Sequence, residues 1–427
     1  MTAWLPPALR RTRRAIALLC LALSGATHAA AFPDWLAGFR ATALRQGVSA
    51  ATLDAALAGA EPLDRVIELD RRQPEFLTPF DDYLGRRITP RQVARGQALL
   101  AEHAALFDAV EARYGVPKTV LAAFWGLESH YGANLGGFNV PRALATLAWD
   151  GRRSAFFQRE LIEALRIVDA GHVAAPAMLG SWAGAMGQMQ FMPSTFRAHA
   201  VDGDGDGRID LWNSLPDALY SAARYLSRAG WRTGEPIAVE ALLPPEFDWK
   251  QARAAHRLPL SDWRAMGVSA ATGELPRVAG RAAIVLPQGW RGPAFMVFDN
   301  FDVGMDWNRS VHYVLAVAQL ASELGGGPGL MRIGGEPGAL STTQVAAMQQ
   351  ALAELGIDAG QADGLIGPKT QNALRRFQHR HGLPVDGYPA PSVFEAVAAA
   401  HARARAAGAL HPASPALPAP FFATPEN

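Results

Sequence analysis

A chain of 427 residues is too long for one typical core, so two or three domains are expected from length alone. Hydrophobic residues make up 49% and charged residues 19%, a balance that excludes a chain disordered from end to end. The formal net charge of +1 becomes about −3 once the four arginines of the N-terminal leader are set aside; no basic stripe remains, which argues against a nucleic-acid partner.

The first 31 residues read as a secretory signal peptide. Arg10, Arg11, Arg13 and Arg14 form a basic patch, the apolar run 15–23 follows, and small residues at 29–31 suit cleavage. That run is well short of the ~20 residues that span a bilayer. Cys20 is the only cysteine and lies inside the run, after Leu18 and Leu19. A lipoprotein signal would place the cysteine after small residues at the cleavage point, so lipidation is disfavoured, and membrane association is expected only if Cys20 is lipidated. The mature chain would contain no cysteine, which excludes disulfides, thiol nucleophiles and cysteine-bound metals, and fits an oxidising compartment such as the periplasm.

Residues 32–324 read as one large, mainly α unit. Helical spacing covers residues 89–113, 117–128, 153–170, 216–229 and 310–324, with Pro117 suited to a first helical turn. Three short segments, 237–243, 282–286 and 294–298, look extended and supply a small β portion. A Gly-rich break at 325–339 reads as a flexible linker. A compact block follows at 340–400, and the Ala/Pro-rich tail 401–427 reads as disordered.

The first segment with chemistry in it is Phe124-Trp125-Gly126-Leu127-Glu128-Ser129-His130-Tyr131-Gly132. Glu128 closes the apolar stretch of its helix. A helix C-terminus disfavours an anion, and apolar neighbours raise a carboxyl pKa. An acid held protonated near neutral pH is what glycosidic cleavage requires, because the leaving oxygen must receive a proton. On this segment alone, a surface glutamate at a frayed helix end is an equal alternative. A second segment, residues 180–195, combines small residues that admit close backbone approach with Ser181, Gln188 and Gln190 as uncharged hydrogen-bond groups and Trp182 and Phe191 as apolar faces. It reads equally as a tight helix–helix contact.

Together these segments resemble the lytic murein transglycosylase B family. The elements Glu128-Ser129-His130-Tyr131-Gly132 and Gly180-Ser181-Trp182-Ala183-Gly184-Ala185-Met186-Gly187-Gln188-Met189-Gln190-Phe191-Met192-Pro193-Ser194 carry the resemblance. Residues 66–76, residues 152–157 and Trp307-Asn308-Arg309-Ser310-Val311-His312-Tyr313 extend it to five places over roughly residues 33–324. The resemblance implies a lysozyme-like fold, Glu128 as sole acid/base, and a groove lined by Ser181, Gln190, Tyr225, Asn308 and Tyr313. Arg152 and Arg153 would face the acidic lactyl-peptide parts of the substrate. Trp307 replaces a family tyrosine, which keeps a stacking surface but removes a hydroxyl, so no hydrogen-bonding role is carried over. The implied reaction cleaves the bond between N-acetylmuramic acid and N-acetylglucosamine without water and leaves a 1,6-anhydro sugar. Hydrolases normally need a second carboxylate. Asp150 and Glu163 are near in sequence, but nothing requires either in the groove. No catalytic cofactor is implied. A lysozyme-type hydrolase and a non-catalytic wall-binding scaffold stand as alternatives.

Residues 202–213 have EF-hand spacing. Asp202, Asp204 and Asp206 fall at positions one, three and five, with Gly207 at six. Arg208 could offer its backbone carbonyl and Asp210 a direct or water-mediated contact. Asn213 replaces the usual bidentate glutamate at position twelve, and Asp217 could approach. The alternative is a Gly/Asp turn whose acids are solvated. The family resemblance implies a structural Ca2+ here.

Residues 344–397 resemble the type 1 peptidoglycan-binding domain, a small three-helix unit. Its pattern runs through Met348-Gln349-Gln350-Ala351-Leu352, Asp363-Gly364-Leu365-Ile366-Gly367-Pro368, Phe377-Gln378 and Val385-Asp386-Gly387, with Asp-Gly turns at 363–364 and 386–387. The expected partner is peptidoglycan, bound by a monomer.

Overall fold

The computed structural model describes residues 31–71 and 77–410. Residues 1–30, which hold Cys20 and nearly all of the expected signal peptide, the 72–76 part of the N-terminal motif and the tail from 411 lie outside the described residues.

The architecture is mainly α with a small β portion, as the sequence leads one to expect. The helix Lys118–Ser129 is its axis: all residues from Val120 to Leu127 are buried, because apolar or small residues occupy every face. It packs against Val311–Leu324, Pro90–Glu102 and Leu215–Arg228. Gly126 makes room for the Tyr131 ring, where a Cβ would come within 2.7 Å of Cζ. The stretch 89–113 reads as one helix in the sequence but is two, Pro90–Glu102 and Ala104–Tyr114, broken at His103 with φ −108° and ψ 27°. Pro117 is extended at ψ 138° and caps its helix from outside rather than opening it. The segments 153–170, 216–229 and 310–324 are realised as Ser154–Asp169, Leu215–Arg228 and Val311–Leu324; Ser214 and Ser310 cap the last two through their side chains.

The three extended segments become Ala238–Leu242, Arg281–Val285 and Ala294–Val297. They sit in a five-stranded antiparallel sheet completed by two-residue strands, Leu258–Pro259 and Ser269–Ala270. This sheet has its own core around Trp263, whose indole N–H donates to the Ala282 carbonyl at 2.9 Å. A two-stranded ladder pairs Phe138–Asn139 with Leu179–Gly180.

The C-terminal block forms three helices, Thr342–Glu354, Pro368–Arg380 and Pro391–Ala406, around Val345, Met348, Leu352, Leu374 and Phe377. Each Asp-Gly turn is read by a buried glutamine. Gln349 donates to Asp363 at 3.1 Å and accepts from Gly364 N at 2.9 Å. Gln378 does the same for Asp386 and Gly387 at 2.6 and 2.8 Å. The last helix runs six residues into the expected tail; His401 pairs with Glu354 at 2.5 Å and holds it to the domain. The expected flexible linker is docked as well: Met331 N and Arg332 N both donate to Glu240 at 2.8 Å, and Arg291 pairs with Glu336 at 3.6 Å. Among the described residues, no helix is long and apolar enough to cross a membrane.

Candidate active site

The Glu128 helix ends abruptly. His130, Tyr131 and Gly132 all take positive φ, at 52°, 60° and 79°. For two non-glycine residues this is strained backbone, of order 1–3 kcal/mol each. It is held by Ser129, fully buried, whose hydroxyl donates to Gln188 O at 2.7 Å and accepts from Gly132 N at 2.9 Å. Gln188 also accepts from the Trp125 indole at 2.9 Å, while its backbone N–H donates to Leu211 O at 2.8 Å. One buried amide thereby joins the Glu128 helix, the small-residue segment and the end of the acidic loop.

Glu128 is half-buried, with its carboxyl group set into apolar surroundings. Two neutral donors converge on one oxygen, Oε1: the Tyr313 hydroxyl at 2.5 Å and the Trp307 indole N–H at 2.7 Å. Desolvation raises the Glu128 pKa above the ordinary carboxyl value; the two hydrogen bonds and the Arg87 guanidinium partly oppose the rise. Burial and the facing carboxylate push the Tyr313 hydroxyl far up, so it remains a donor. Among the described residues, the charge that acts on Glu128 is thus a cation rather than another carboxylate. Asp150 and Glu163 are committed elsewhere, Asp150 to Arg71 at 2.5 Å and Glu163 to Arg166 and Arg197 at 2.6 and 3.2 Å.

Trp307 departs from the sequence expectation. Its ring packs on Phe124, Tyr225 and Phe191 with centroids 4.6, 5.0 and 5.4 Å apart, and its N–H supplies a hydrogen bond that the lost hydroxyl was not expected to leave behind. Tyr225 joins the cluster and donates to Asp306 O at 3.0 Å. Asn308 directly follows Trp307 as the C-cap of the helix Asp299–Trp307. Gln190, at φ 49°, donates to Gly187 O and Leu135 O at 2.9 and 3.2 Å and shapes the turn before Phe191. Ser181 accepts from Ala185 N at 3.0 Å within the same hairpin-like segment, which is closed by Gly180–Met186 and Met186–Phe191 bridges.

Arg152 and Arg153 stand apart from this cluster. Arg152 donates to Asp70 O at 2.8 Å, and Arg153 lies over the Phe156 and Phe157 rings at 4.8 and 5.1 Å. Tyr83 and Arg87, with the guanidinium 5.3 Å from the ring centroid, bear on Glu128 although no sequence motif marks them. Their only sequence signal is an amphipathic short helix, Phe80–Arg87.

The acidic loop brings Asp202, Asp204 and Asp217 together, each offering an oxygen within 4.8 Å of the others. Asp206, Arg208 and Asn213 are not in this group. Asp206 accepts from Arg208 N at 2.8 Å, and the Arg208 guanidinium pairs with Asp210 at 2.6 Å. The Asn213 amide turns to Asp210 at 3.0 Å, where it finds an anion to donate to. Asp217, fully buried in the first turn of its helix, supplies the third carboxylate of the group in place of a residue at position twelve. Burial raises its pKa against the backbone N–H bonds from Asp210 and Gly203. Three carboxylate oxygens at this separation are a donor set that suits a hard cation such as Ca2+.

Residues 31–322 match the transglycosylase SLT domain family. The chain belongs to that family. Residues 341–397 match the peptidoglycan binding domain family. The chain is similar to SltB3 from Pseudomonas aeruginosa, solved in complex with NAG-anhNAM-pentapeptide and with NAG-NAM-pentapeptide. The identity is 44%, with 86% of this chain and 100% of that chain covered and a TM-score of 0.83. It is 32% identical over 299 residues to the membrane-bound lytic murein transglycosylase B of Escherichia coli, covering 65% of this chain and 78% of that one. The Escherichia coli Slt35 structure in complex with calcium is similar at 28% identity, covering 68% of this chain and 92% of that one with a TM-score of 0.59. These neighbours bear out the lysozyme-like fold and the C-terminal wall-binding unit expected from the sequence.

Proposed function

We propose that the chain is a lytic murein transglycosylase that cleaves the MurNAc–GlcNAc bond with Glu128 as its single acid/base and leaves a 1,6-anhydro-MurNAc end. The enzyme class follows from the family and from relatives that are lytic transglycosylases. The observation that carries the mechanism is the convergence of two neutral donors on Glu128 Oε1. With the lone pairs of that oxygen taken, the proton of the neutral acid belongs on Oε2, which is the atom that delivers it. Glu128 Oε2–H protonates the oxygen between the two sugars, and the bond from that oxygen to the muramoyl anomeric carbon breaks. The carboxylate then takes the proton of the muramoyl C6 hydroxyl as its oxygen bonds to the same carbon. One proton leaves Glu128 and one returns, and no water is consumed. Tyr313 and Trp307 hold the carboxylate between the two steps. Among the described residues, no second carboxylate acts on Glu128, which favours this route over hydrolysis, and the anhydro-muramoyl ligand held by SltB3 is of the product type it requires.

Asp202, Asp204 and Asp217 would hold a structural Ca2+ that fixes the loop and, through Leu211 and Gln188, steadies the Glu128 helix. Ser181, Gln190, Asn308 and Tyr225 would line the sugar groove. The N-terminal leader would export the chain to the periplasm, where the C-terminal domain holds it at the wall. Glu128→Gln is the test: turnover of purified sacculi should stop while wall binding persists. Turnover near the wild-type rate would remove Glu128 from this role.

A further inference from the structure

Two segments far apart in the sequence meet beside the small β unit and form a cationic cleft. Lys250 and Arg253 come from the single-turn helix Trp249–Gln251 and the chain just after it; Arg375, Arg376 and His379 come from the helix Pro368–Arg380 of the C-terminal domain. The cleft measures about 270 Å³. Among the described residues, none of the four permanent cations forms an ion pair, and Arg376 donates only to the Asp358 carbonyl, at 2.6 Å. The Arg375 stem lies across Gly387, where a Cβ would come within 2.9 Å of its Cζ, and its Nε is buried without an acceptor. Burial, and then repulsion from Arg253, hold its guanidinium below the usual value, partly opposed by the Asp386 carboxylate. Asp386 is close but already engaged: Oδ1 accepts from Gln378 and Tyr388 N at 2.6 and 2.9 Å, and Oδ2 from Trp290 N at 2.9 Å.

The cations are not free to drift apart. The bond from Trp290 N to Asp386, the contact of Gly289 with Tyr388 and the Arg291–Glu336 pair tie the two bodies together around the cleft. Like charges held around one cleft repel, and a bound anion relieves that repulsion. Guanidinium groups match the planar, bidentate geometry of a carboxylate.

We propose that this cleft binds carboxylates of the peptidoglycan stem peptide, gripped between the small β unit and the C-terminal domain. The inference rests on peptidoglycan being the substrate. The volume suits a short peptide end, and a similar protein has been solved with NAG-NAM-pentapeptide, a ligand that carries such a peptide. None of these residues belongs to the Glu128 network, so the cleft would hold a peptide apart from the bond being cut and add a second attachment to the wall.

The test uses the full chain carrying Glu128→Gln and isothermal titration with a synthetic pentapeptide stem, its fully amidated counterpart, and inorganic phosphate. Lys250 and Arg253 are exposed, so the double variant Lys250→Glu, Arg253→Glu should fold; its thermal unfolding is checked in parallel. The free peptide should bind with affinity that falls steeply with salt, and the double variant should weaken it tenfold or more. The amidated peptide should bind at least tenfold more weakly. Equal binding of the two peptides, equal binding by the double variant, or phosphate binding as tightly as the peptide would overturn the proposal. The wild-type chain is also tested on purified sacculi. Release of fragments without peptide binding sinks this inference alone, whereas no release sinks the reading of the substrate.

Discussion

Tyr313→Phe is the perturbation that bears most closely on how Glu128 is tuned. It deletes one of the two donors to Oε1, at 2.5 Å, and keeps the buried ring. A hydrogen bond to a charged group contributes about 1.5–3 kcal/mol. At about 1.4 kcal/mol per unit, full loss would raise the Glu128 pKa by about 1–2 units. Trp307 keeps its bond to the same oxygen at 2.7 Å, so the effect should fall at the lower end, about 1 unit. The direction is upward, because the hydroxyl favours the carboxylate over the neutral acid. Glu128 must begin the reaction protonated, so activity falls as pH rises through its pKa. The alkaline limb of kcat/KM on glycan strands should therefore move up by about 1 pH unit in Tyr313→Phe. A limb that stays in place or moves down would refute the assignment of Tyr313 as a donor that stabilises the ionised form.

Other consequences are open to direct measurement. Trp307→Phe should also move the alkaline limb upward, and should cost about 1–3 kcal/mol in urea unfolding, because its ring packs on Phe124, Phe191 and Tyr225; unchanged stability would show that the indole is not a packing element. Glu128 has a folded pKa above its unfolded value, so its stabilising contribution is present at low pH and is lost as pH rises through the folded pKa. Glu128→Gln should accordingly raise the Tm at alkaline pH and lose that advantage in acid; a uniform offset across pH would contradict the raised pKa. Ca2+ at about a hundred times its Kd should add about 2.7 kcal/mol of stability. Asp204→Asn, at an exposed position, should abolish that gain with little change in the metal-free Tm; a Tm indifferent to Ca2+ and EDTA in the wild type would remove the site.

The helices that carry the site were legible because their apolar residues recur at helical spacing and their caps are explicit, as with Ser214 and Ser310. The two-residue strands were not, since two residues show no alternation. Glu128 and Tyr313 could be read from motifs. Trp307 could not, because its donor role depends on where the indole N–H points, and a substitution pattern records a missing hydroxyl but not a nitrogen that replaces it. Arg87 and Tyr83 escaped for a related reason: they reach Glu128 from a different helix, and only packing brings them there. The loop shows the limit of spacing rules. Position twelve of the motif holds Asn213, yet the third carboxylate comes from Asp217, four residues on, because the following helix turns it back over Gly203 at 2.7 Å. The cationic cleft was invisible for the same reason, as its charges come from segments more than a hundred residues apart.

The most direct test of the account is the mass of the fragments released from purified sacculi by the wild-type chain. A transglycosylase that closes the muramoyl C6 oxygen onto the anomeric carbon gives fragments lighter by one water than hydrolysis products, with no new reducing ends. Fragments at the hydrolytic mass, with reducing ends formed in step with cleavage, would contradict it.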